Sequence, residues 1–260
     1  MPKVEKHPSG VMIVFDPKWH TYKCPQKPGL KFTSGTKFLS KFYPEFDKEG
    51  ISKRYAEKNG LKQLDVLAQW ARKGEVSRES GTLVHNYLEN LANGVVMKHE
   101  NAARHTDEDI QAMALSKMKC ADKLFNEICD TYEVVKPEMI VASLGRAVAG
   151  QVDLVGKRKD NGAFSFFDYK TNAEIKFENR WGRCLAPVDH FEDCNFIHYS
   201  LQLGLYETIA REDGYLDDLG WQGDEVDRYI VHITEDINDG MIYPCADVSK
   251  EIIEMFEMAA

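Results

Sequence analysis

Two apolar runs, each interrupted by an acid and joined by a turn, constrain this chain more than anything else in it. Gly150-Gln151-Val152-Asp153-Leu154-Val155 alternates apolar residues around one carboxylate, and Ala163-Phe164-Ser165-Phe166-Phe167 leads into Asp168-Tyr169-Lys170-Thr171. Both read as strands. The segment between them is charged and carries Asn161-Gly162, a hairpin-turn dipeptide. Side chains alternate across a strand, so Asp168 and Lys170 share one side while Tyr169 takes the other. Pairing as a hairpin brings Asp153 towards Asp168, and two carboxylates and an ammonium then converge at a sheet edge. An acid on the inward face of an apolar strand is costly unless it is paired or holds a cation. A divalent metal and a water nucleophile need such a set.

Two helical segments flank this pair. Gly81-Thr82-Leu83-Val84-His85-Asn86-Tyr87-Leu88-Glu89 lies in a helix predicted over about residues 77–93, with His85 and Glu89 four apart on one face. Gln202-Leu203-Gly204-Leu205-Tyr206 lies in a second, over about 195–211, where Gln202 and Tyr206 share a face. Read singly, each has a plain alternative. A lone histidine is more often structural than a ligand, Glu89 is expected to be a solvated helix charge, and Gln202 and Tyr206 fit a polar helix edge with an aromatic on the core.

Taken together and in this order, the four elements resemble the PD-(D/E)XK nuclease superfamily, whose variable first motif often reduces to a bare Asp. Gly150-x-Val152-Asp153 ahead of Asp168-Tyr169-Lys170-Thr171, with the G-T-x-x-H helix and the Q-x-x-x-Y pair, is similar to the RecB-like exonuclease branch, which includes the mitochondrial genome-maintenance exonuclease and phage relatives. The matched elements run from Gly81 to Tyr206, about half of the chain. The resemblance implies a metal-dependent DNA exonuclease acting on single-stranded DNA or DNA ends in replication, recombination or repair. It implies Asp153, Asp168, Lys170, Gln202 and Tyr206 as catalytic residues, and a first shell of His85, Asp153, Asp168 and the backbone carbonyl of Tyr169. An endonuclease of the same fold and a non-catalytic nucleic-acid-binding module are the alternatives.

The residue types agree with that chemistry. Carboxylates are hard oxygen ligands suited to Mg²⁺ or Mn²⁺, and a histidine among them makes Mn²⁺ at least as plausible as Mg²⁺. Lys170, next to two acids, should stay protonated; it would hold the attacking water and offset phosphate charge rather than abstract a proton. Gln202 and Tyr206 would contact the scissile strand or orient Lys170. Glu138, in a strand over about 134–142, is a further candidate contact for a second metal.

The net charge of −9, from 33 basic and 42 acidic residues, argues against a uniformly DNA-binding surface but not against a local basic path. Candidates on that path are Arg72, Lys73, Lys157 and Arg158, with Lys48, Lys53, Arg54, Lys58, Lys62, Arg78 and Lys159 around them; the plain alternative is solvated helix faces. Ser34 and Thr36, in a Thr/Ser-rich turn before a helix, are candidate phosphate contacts or simple caps. The loop over 176–195, with Trp181, Arg183 and Phe191, is long enough for substrate contact. Six cysteines without a C-x-x-C suggest reduced thiols, no iron–sulfur cluster and no zinc. No apolar run spans a membrane, and the opening residues carry neither an apolar signal core nor a transit-peptide composition, so a cytoplasmic setting, bacterial or in a phage-infected host, is expected.

The expected fold is α/β, a restriction-endonuclease-like core with a central mixed sheet flanked by helices. One domain covers 1–260, divided into an N-terminal hairpin and helical extension (1–76) and a nuclease core (77–260). Helices are expected over 51–59, 64–73, 77–93, 107–132, 195–211 and 247–258. Strands are expected over 11–15, 20–24, 134–142, 147–155, 163–169, 226–233 and 241–245.

Overall fold

A computed structural model describes residues 2–223 and 225–259; Met1, Asp224 of the acidic stretch and Ala260 lie outside it. Alternating apolar residues make the first small sheet. β1 (Lys3–Lys6), β2 (Met12–Asp16) and β3 (Thr21–Lys23) pair antiparallel in that order, and Ile13, Phe15 and Tyr22 turn onto Ile140, Ala142 and Ala149. The expected hairpin around Asp16-Pro17 is present. The mostly charged β1 was not expected as a strand.

Next come β4 (Thr33–Ser34), α1 (Gly35–Leu39) and α2 (Lys48–Asn59). Ser34 caps α1 by accepting from Lys37 N–H at 3.3 Å, and Asp47 caps α2 by accepting from Gly50 N–H at 2.8 Å. α3 (Gln63–Ala92) is one continuous helix, where the sequence suggested a break between residues 73 and 77. A glycine inside a helix costs only about 1 kcal/mol, and the flanking helix formers carry the helix through Gly74. Ser77, expected near a helix start, is interior, and its carbonyl accepts from the Ser80 hydroxyl. The division at 76/77 therefore falls inside one helix.

A short α4 (His99–Ala102) leads to α5 (Glu108–Thr131), which is capped by Asp107 and buries Ile110, Ala114, Met118, Ala121, Phe125 and Ile128 on one face. The meander follows as β5 (Tyr132–Ser143), β6 (Val148–Arg158) and β7 (Phe164–Lys170). Then come α6 (Asn195–Glu212), a short α7 (Tyr215–Asp218), β8 (Asp227–His232), β9 (Met241–Pro244) and α8 (Ser249–Ala259).

The main sheet is mixed and six-stranded, in the order β4-β6-β7-β8-β9, with β5 on the other edge of β6. β7 pairs antiparallel with β6 and parallel with β8. One face packs on α1, α6 and α8 through Phe38, Leu201, Leu205, Ile252 and Phe256; the opposite face packs on α3 and α5 through Val84, Leu88, Met118, Leu124 and Ile128. Both faces being covered explains why Phe164, Phe166 and Phe167 are all buried and why β7 reads as a continuous apolar run.

The position of the site follows from β6. Its whole length pairs with β5 on one edge, but two strands share the other edge. β4 pairs in parallel at Val148 and Ala149, and β7 pairs antiparallel from Leu154 to Lys157. Gly150 to Asp153 therefore face no ladder on that edge. The pleat also slips there: Val152 and Val155 both enter the α6-side core, while Leu154 enters the α3-side core. At the same level of β5, Glu138 has φ +52°.

Tyr206 of α6 fills the gap from one face, and this explains Gly150. A Cβ at Gly150 would lie 2.1 Å from Tyr206 Cε1, and one at Gly35 would lie 2.5 Å from the same atom. We expect Gly150→Ala to destabilise the protein by roughly 1–3 kcal/mol through overpacking. Adding Tyr206→Ala should recover most of that loss, read as a coupling in a denaturant double-mutant cycle. Simple additivity would show that the contact is not the cause.

Candidate metal-binding and catalytic site

The gap in β6 places Asp153 at its lip. There the Tyr169 N–H, on the strand that has just left β6, donates to Asp153 Oδ2 at 2.7 Å. The Asp153 side chain thus replaces the ladder bond that the splayed strands no longer make. Lys170 C=O accepts from Ile233 N–H on the β8 side. Alternation then turns the Tyr169 C=O to the β6 side, towards the gap.

α3 brings His85 over the lip from one face. His85 Nδ1 lies 3.5 Å from Asp153 Oδ1, and the ring meets Tyr169 edge-on at 5.8 Å between centroids. Gly81 permits this approach, since a Cβ there would sit 2.7 Å from Thr171 Oγ1. Glu138 completes the cluster: one ligand atom each from His85, Glu138 and Asp153 lie within 4.8 Å of one another. Lys3 of β1 reaches across with its ammonium 3.1 Å from Glu138 Oε2 and 2.7 Å from Glu89 Oε1. Glu89 is therefore an ion-pair partner rather than the free helix charge expected from the sequence.

The opposite face supplies the positive charge. Lys170 Nζ is 2.5 Å from Asp168 Oδ2, 3.4 Å from Gln202 Oε1 and 4.5 Å from the centroid of the Tyr199 ring. Asp168 is only 2% exposed, and its Oδ2 accepts no well-aligned hydrogen bond. Asp168 and Lys170 thus share one side of β7 and Tyr169 takes the other, as the sequence suggested.

The charges compete. Burial opposes ionisation of Asp153, but His85, Lys170 and the Tyr169 N–H outweigh it and hold the carboxyl below its ordinary value. Burial, assisted by the Asp153 charge, raises Asp168. For His85 and Lys170 burial favours the neutral forms, yet the surrounding carboxylates win and raise both. Glu138 is pushed up to about 7 by burial and by Asp153. Four carboxylates, Glu89, Glu138, Asp153 and Asp168, face three cations, Lys3, His85 and Lys170, and Asp168 Oδ2 lacks an aligned donor. Hard oxygen ligands plus one imidazole fit a divalent cation such as Mn²⁺ or Mg²⁺.

His85, Glu138, Asp153, Tyr169 and Lys170 line an open cleft of about 510 Å³ with His20, Ser77, Arg78, Thr82, Asn86, Gln151 and Asn172, while Asp168 lies buried behind Lys170. Sequence reasoning passed over several contributors. Lys117 stands at an apolar position of α5, is 5% exposed, and donates to Thr171 C=O at 2.6 Å. His232 Nε2 is 2.8 Å from Asn172 C=O. Together they pin the chain where it leaves Lys170. Lys117 does leave a signal, a cation within an apolar helical stripe; Lys3 leaves none.

Four of the expected nucleic-acid contacts are placed differently. Arg72 is held by Glu75, Asp107 and Asp109 at 2.7–3.1 Å, so its charge is already neutralised. Lys73 lines an adjoining cavity, which shares Ser77, Thr171 and Asn172 with the cleft, together with Asp109, Glu174, Glu235, Asp236 and Asp239. Lys157 and Arg158 sit towards the turn end of the hairpin, about 13 and 17 Å along β6 from Asp153 at ~3.3 Å per residue. There Arg158 pairs with Asp160 through both carboxylate oxygens at 3.0 and 2.8 Å. Ser34 caps α1 and contacts the exposed Thr36 at 3.3 Å, beside Gly35 and Tyr206. In the 176–195 loop, Trp181 is 97% exposed and Phe177 packs on Phe196 and Tyr243. All six cysteines are free, and no helix among the described residues is long and apolar enough to cross a membrane.

No protein-family profile matches the chain, and no curated protein matches it. Among solved structures, a candidate exonuclease from Eubacterium rectale is similar at a TM-score of 0.38 and 16% identity, over 69% of this chain and 64% of that one. This chain therefore spans less than two thirds of that protein's length. The protein SSO0001 gives a TM-score of 0.26 at 16% identity, over 68% of this chain and 83% of its own. Likenesses this weak carry no argument, and the functional reading rests on the side chains.

The raised Glu138 gives a test with two signs. A carboxyl raised in the folded state contributes stability below its unfolded value, and that contribution is lost as pH rises towards the folded value of about 7. Glu138→Gln should therefore raise the melting temperature of metal-free protein above pH 7 relative to the parent, with little change at pH 4. The same variant should weaken Mn²⁺ binding by ~10-fold or more in calorimetric titration. Unchanged Mn²⁺ affinity would remove Glu138 from the metal site.

Proposed function

We propose that this chain is a metal-dependent deoxyribonuclease of the PD-(D/E)XK superfamily, RecB-like branch, acting as an exonuclease on single-stranded DNA or DNA ends. The observation that carries the reading is the clustering of His85, Glu138 and Asp153 ligand atoms within 4.8 Å, beside the Asp168–Lys170 pair at an unpaired strand edge. An interior ion pair alone needs neither a third carboxylate nor a histidine. A phosphodiester hydrolase uses both. The sequential meander, the helix carrying Gln202 and the parallel β8 support that reading.

In this reading His85, Asp153, Asp168 and the Tyr169 carbonyl, joined by Glu138, hold Mn²⁺ or Mg²⁺. The bound cation makes a water more acidic and neutralises charge on the phosphate. Lys170 keeps its proton because Asp168 and Asp153 favour the ammonium, so it orients the water and offsets charge rather than acting as base. Gln202 Oε1 aims that ammonium, and Tyr206, packed against Gly35 and Gly150, fixes the helix that carries Gln202.

Charge sets the path of the substrate. Five carboxylates against Arg72, Lys73 and Lys117 line the neighbouring cavity and leave it net acidic, whereas in the cleft Arg78 and Lys170 stand against Glu138 and Asp153, beside the neutral Thr82, Asn86 and Gln151. The DNA strand accordingly enters between the β2–β3 hairpin and α3, with Arg78, which has one acidic partner, Glu79, where Arg72 has three, as its first cation, and not along Arg72 or the β6–β7 turn.

The decisive assay uses DNA labelled at either end, single- and double-stranded, linear and circular, with Mg²⁺, Mn²⁺ or EDTA. We expect metal-dependent loss of linear DNA and persistence of circles. Asp153→Ala and Lys170→Ala should each reduce the rate by at least ~10³-fold, with folding checked by circular dichroism. Cleavage of circles would assign an endonuclease. No cleavage with any metal by the folded protein would leave a binding module.

A second test separates path from chemistry. Arg78→Ala should raise KM several-fold with little change in kcat, while Arg72→Ala should leave both unchanged at matched stability. The reverse pattern would place the DNA over the acidic cavity instead.

A further inference from the structure

A second group of metal-ligating side chains lies outside the cleft, where the 176–195 loop returns to α6. Cys184, Asp193 and His198 each offer one ligand atom, and these atoms lie within 4.8 Å of one another. Cys184 is 3% exposed and Asp193 and His198 are half-buried. We propose that this is a structural site for a soft divalent cation, zinc above all, independent of the catalytic cluster.

The donor set is the first argument. A thiol, an imidazole and a carboxylate match the ligands of tetrahedral zinc and are a poor set for Mg²⁺. Metal–ligand lengths of ~2.0–2.3 Å put tetrahedral donor atoms about 3.3–3.8 Å apart, within the spread present here. His198 Nε2 and Asp193 Oδ1 are 2.7 Å apart, sharing one proton. Zinc would take the place of that proton, which leaves to solvent, as these two donor atoms move apart by about 0.6 Å.

The second argument is how the surroundings hold the donors. Tyr43 stacks on His198 with centroids 3.8 Å apart and planes 20° apart, fixing the imidazole. The buried Tyr43 Oη has no hydrogen-bond partner, an unusual cost in this pocket. Asn179 Nδ2 donates to Asp193 C=O at 2.7 Å, and the Asn179 N–H donates to Glu192. Arg183 and Glu192 form an antiparallel bridge that brings Cys184 back against residues 191–194. These contacts set a cysteine eight residues before Glu192 against the first turn of α6. The spacing escapes a search for C-x-x-C because the loop, not a knuckle, closes the site.

The site has a structural consequence. The loop joins the strand that ends at Lys170 to the helix that carries Gln202, and a metal here would fasten the start of that helix. On binding, the Cys184 thiol gives up its proton to solvent and the thiolate enters the coordination shell.

Cobalt(II) is the probe. Asp153→Ala protein, prepared metal-free, is titrated with Co²⁺ and followed by absorbance for the thiolate-to-cobalt charge-transfer band, which the catalytic cluster cannot give because it has no cysteine. We expect one equivalent to develop the band and one equivalent of Zn²⁺ to abolish it. Cys184→Ser in the same background should lose the band, and His198→Gln should weaken Zn²⁺ binding at least ~100-fold. Circular dichroism checks that each variant is folded. Absence of the band in protein with all six cysteines intact, or its persistence in Cys184→Ser, overturns the proposal. Because the cleavage assay does not enter, either result leaves the reading of the cleft untouched.

Discussion

The arrangement depends on one strand being shared. β6 pairs with β5 along its whole length but divides its other edge between β4 and β7, and the interval from Gly150 to Asp153 belongs to neither. Unpaired backbone groups inside a protein are costly, so a gap of this kind persists only if something else satisfies it. Part of the answer is the Asp153 carboxylate, which takes the Tyr169 N–H. The same contact holds the carboxylate at the lip, so the bond that repairs the sheet also orients a candidate ligand. Tyr206 closes the gap from the α6 side.

Electrostatics then accounts for what surrounds the gap. Three carboxylates, Glu138, Asp153 and Asp168, meet where the sheet opens, and each raises the cost of ionising its neighbours. Lys170 and His85 respond by holding their protons more tightly, and Lys3 arrives from the small N-terminal sheet to share Glu138 with Glu89. Even so, Glu138 titrates near neutrality, and Asp168 keeps an oxygen without an aligned donor. Frustration of this sort reduces stability and is the usual mark of a place where a missing charge belongs. The N-terminal sheet is thus more than an appendage, because its first strand carries one of the balancing charges.

How much of this was legible depended on whether the cause was local. Asp153, Asp168 and Lys170 announced themselves because charged residues in apolar strands need a reason, and β alternation sorted their faces correctly. His85 and the Gln202–Tyr206 pair were singled out by the resemblance, because helical spacing alone left each with a plain structural reading. Glu138 was only a loose candidate, since its approach depends on a positive φ in a long strand that composition does not reveal. The ion pairs of Arg72 were not legible because its partners Asp107 and Asp109 lie across a helix–helix contact, invisible from either segment alone. Lys157 and Arg158 stand away from Asp153 along the same strand, a spacing that the strand register already sets. The break expected in α3 failed because local signals at Gly74 and Ser77 are weak beside the packing of a long helix against α5.

The glycines of the two recognisable motifs show why the cleft resists piecemeal change. Gly81 lets α3 touch Thr171, and Gly150 lets Tyr206 lie against β6; in both cases a single added methyl would collide at 2.1–2.7 Å. Neither glycine needs an unusual φ, so each is present for closeness rather than for flexibility. The two helices approach the same strand ends from opposite faces, one bringing His85 and the other Gln202. Widening either contact would move a first neighbour of Asp153 or of Lys170 while leaving every charged residue in place. Residues with no polar atom in their side chains therefore set the spacing of the polar cluster, and the geometry of the site is a property of the packing on both faces of the sheet.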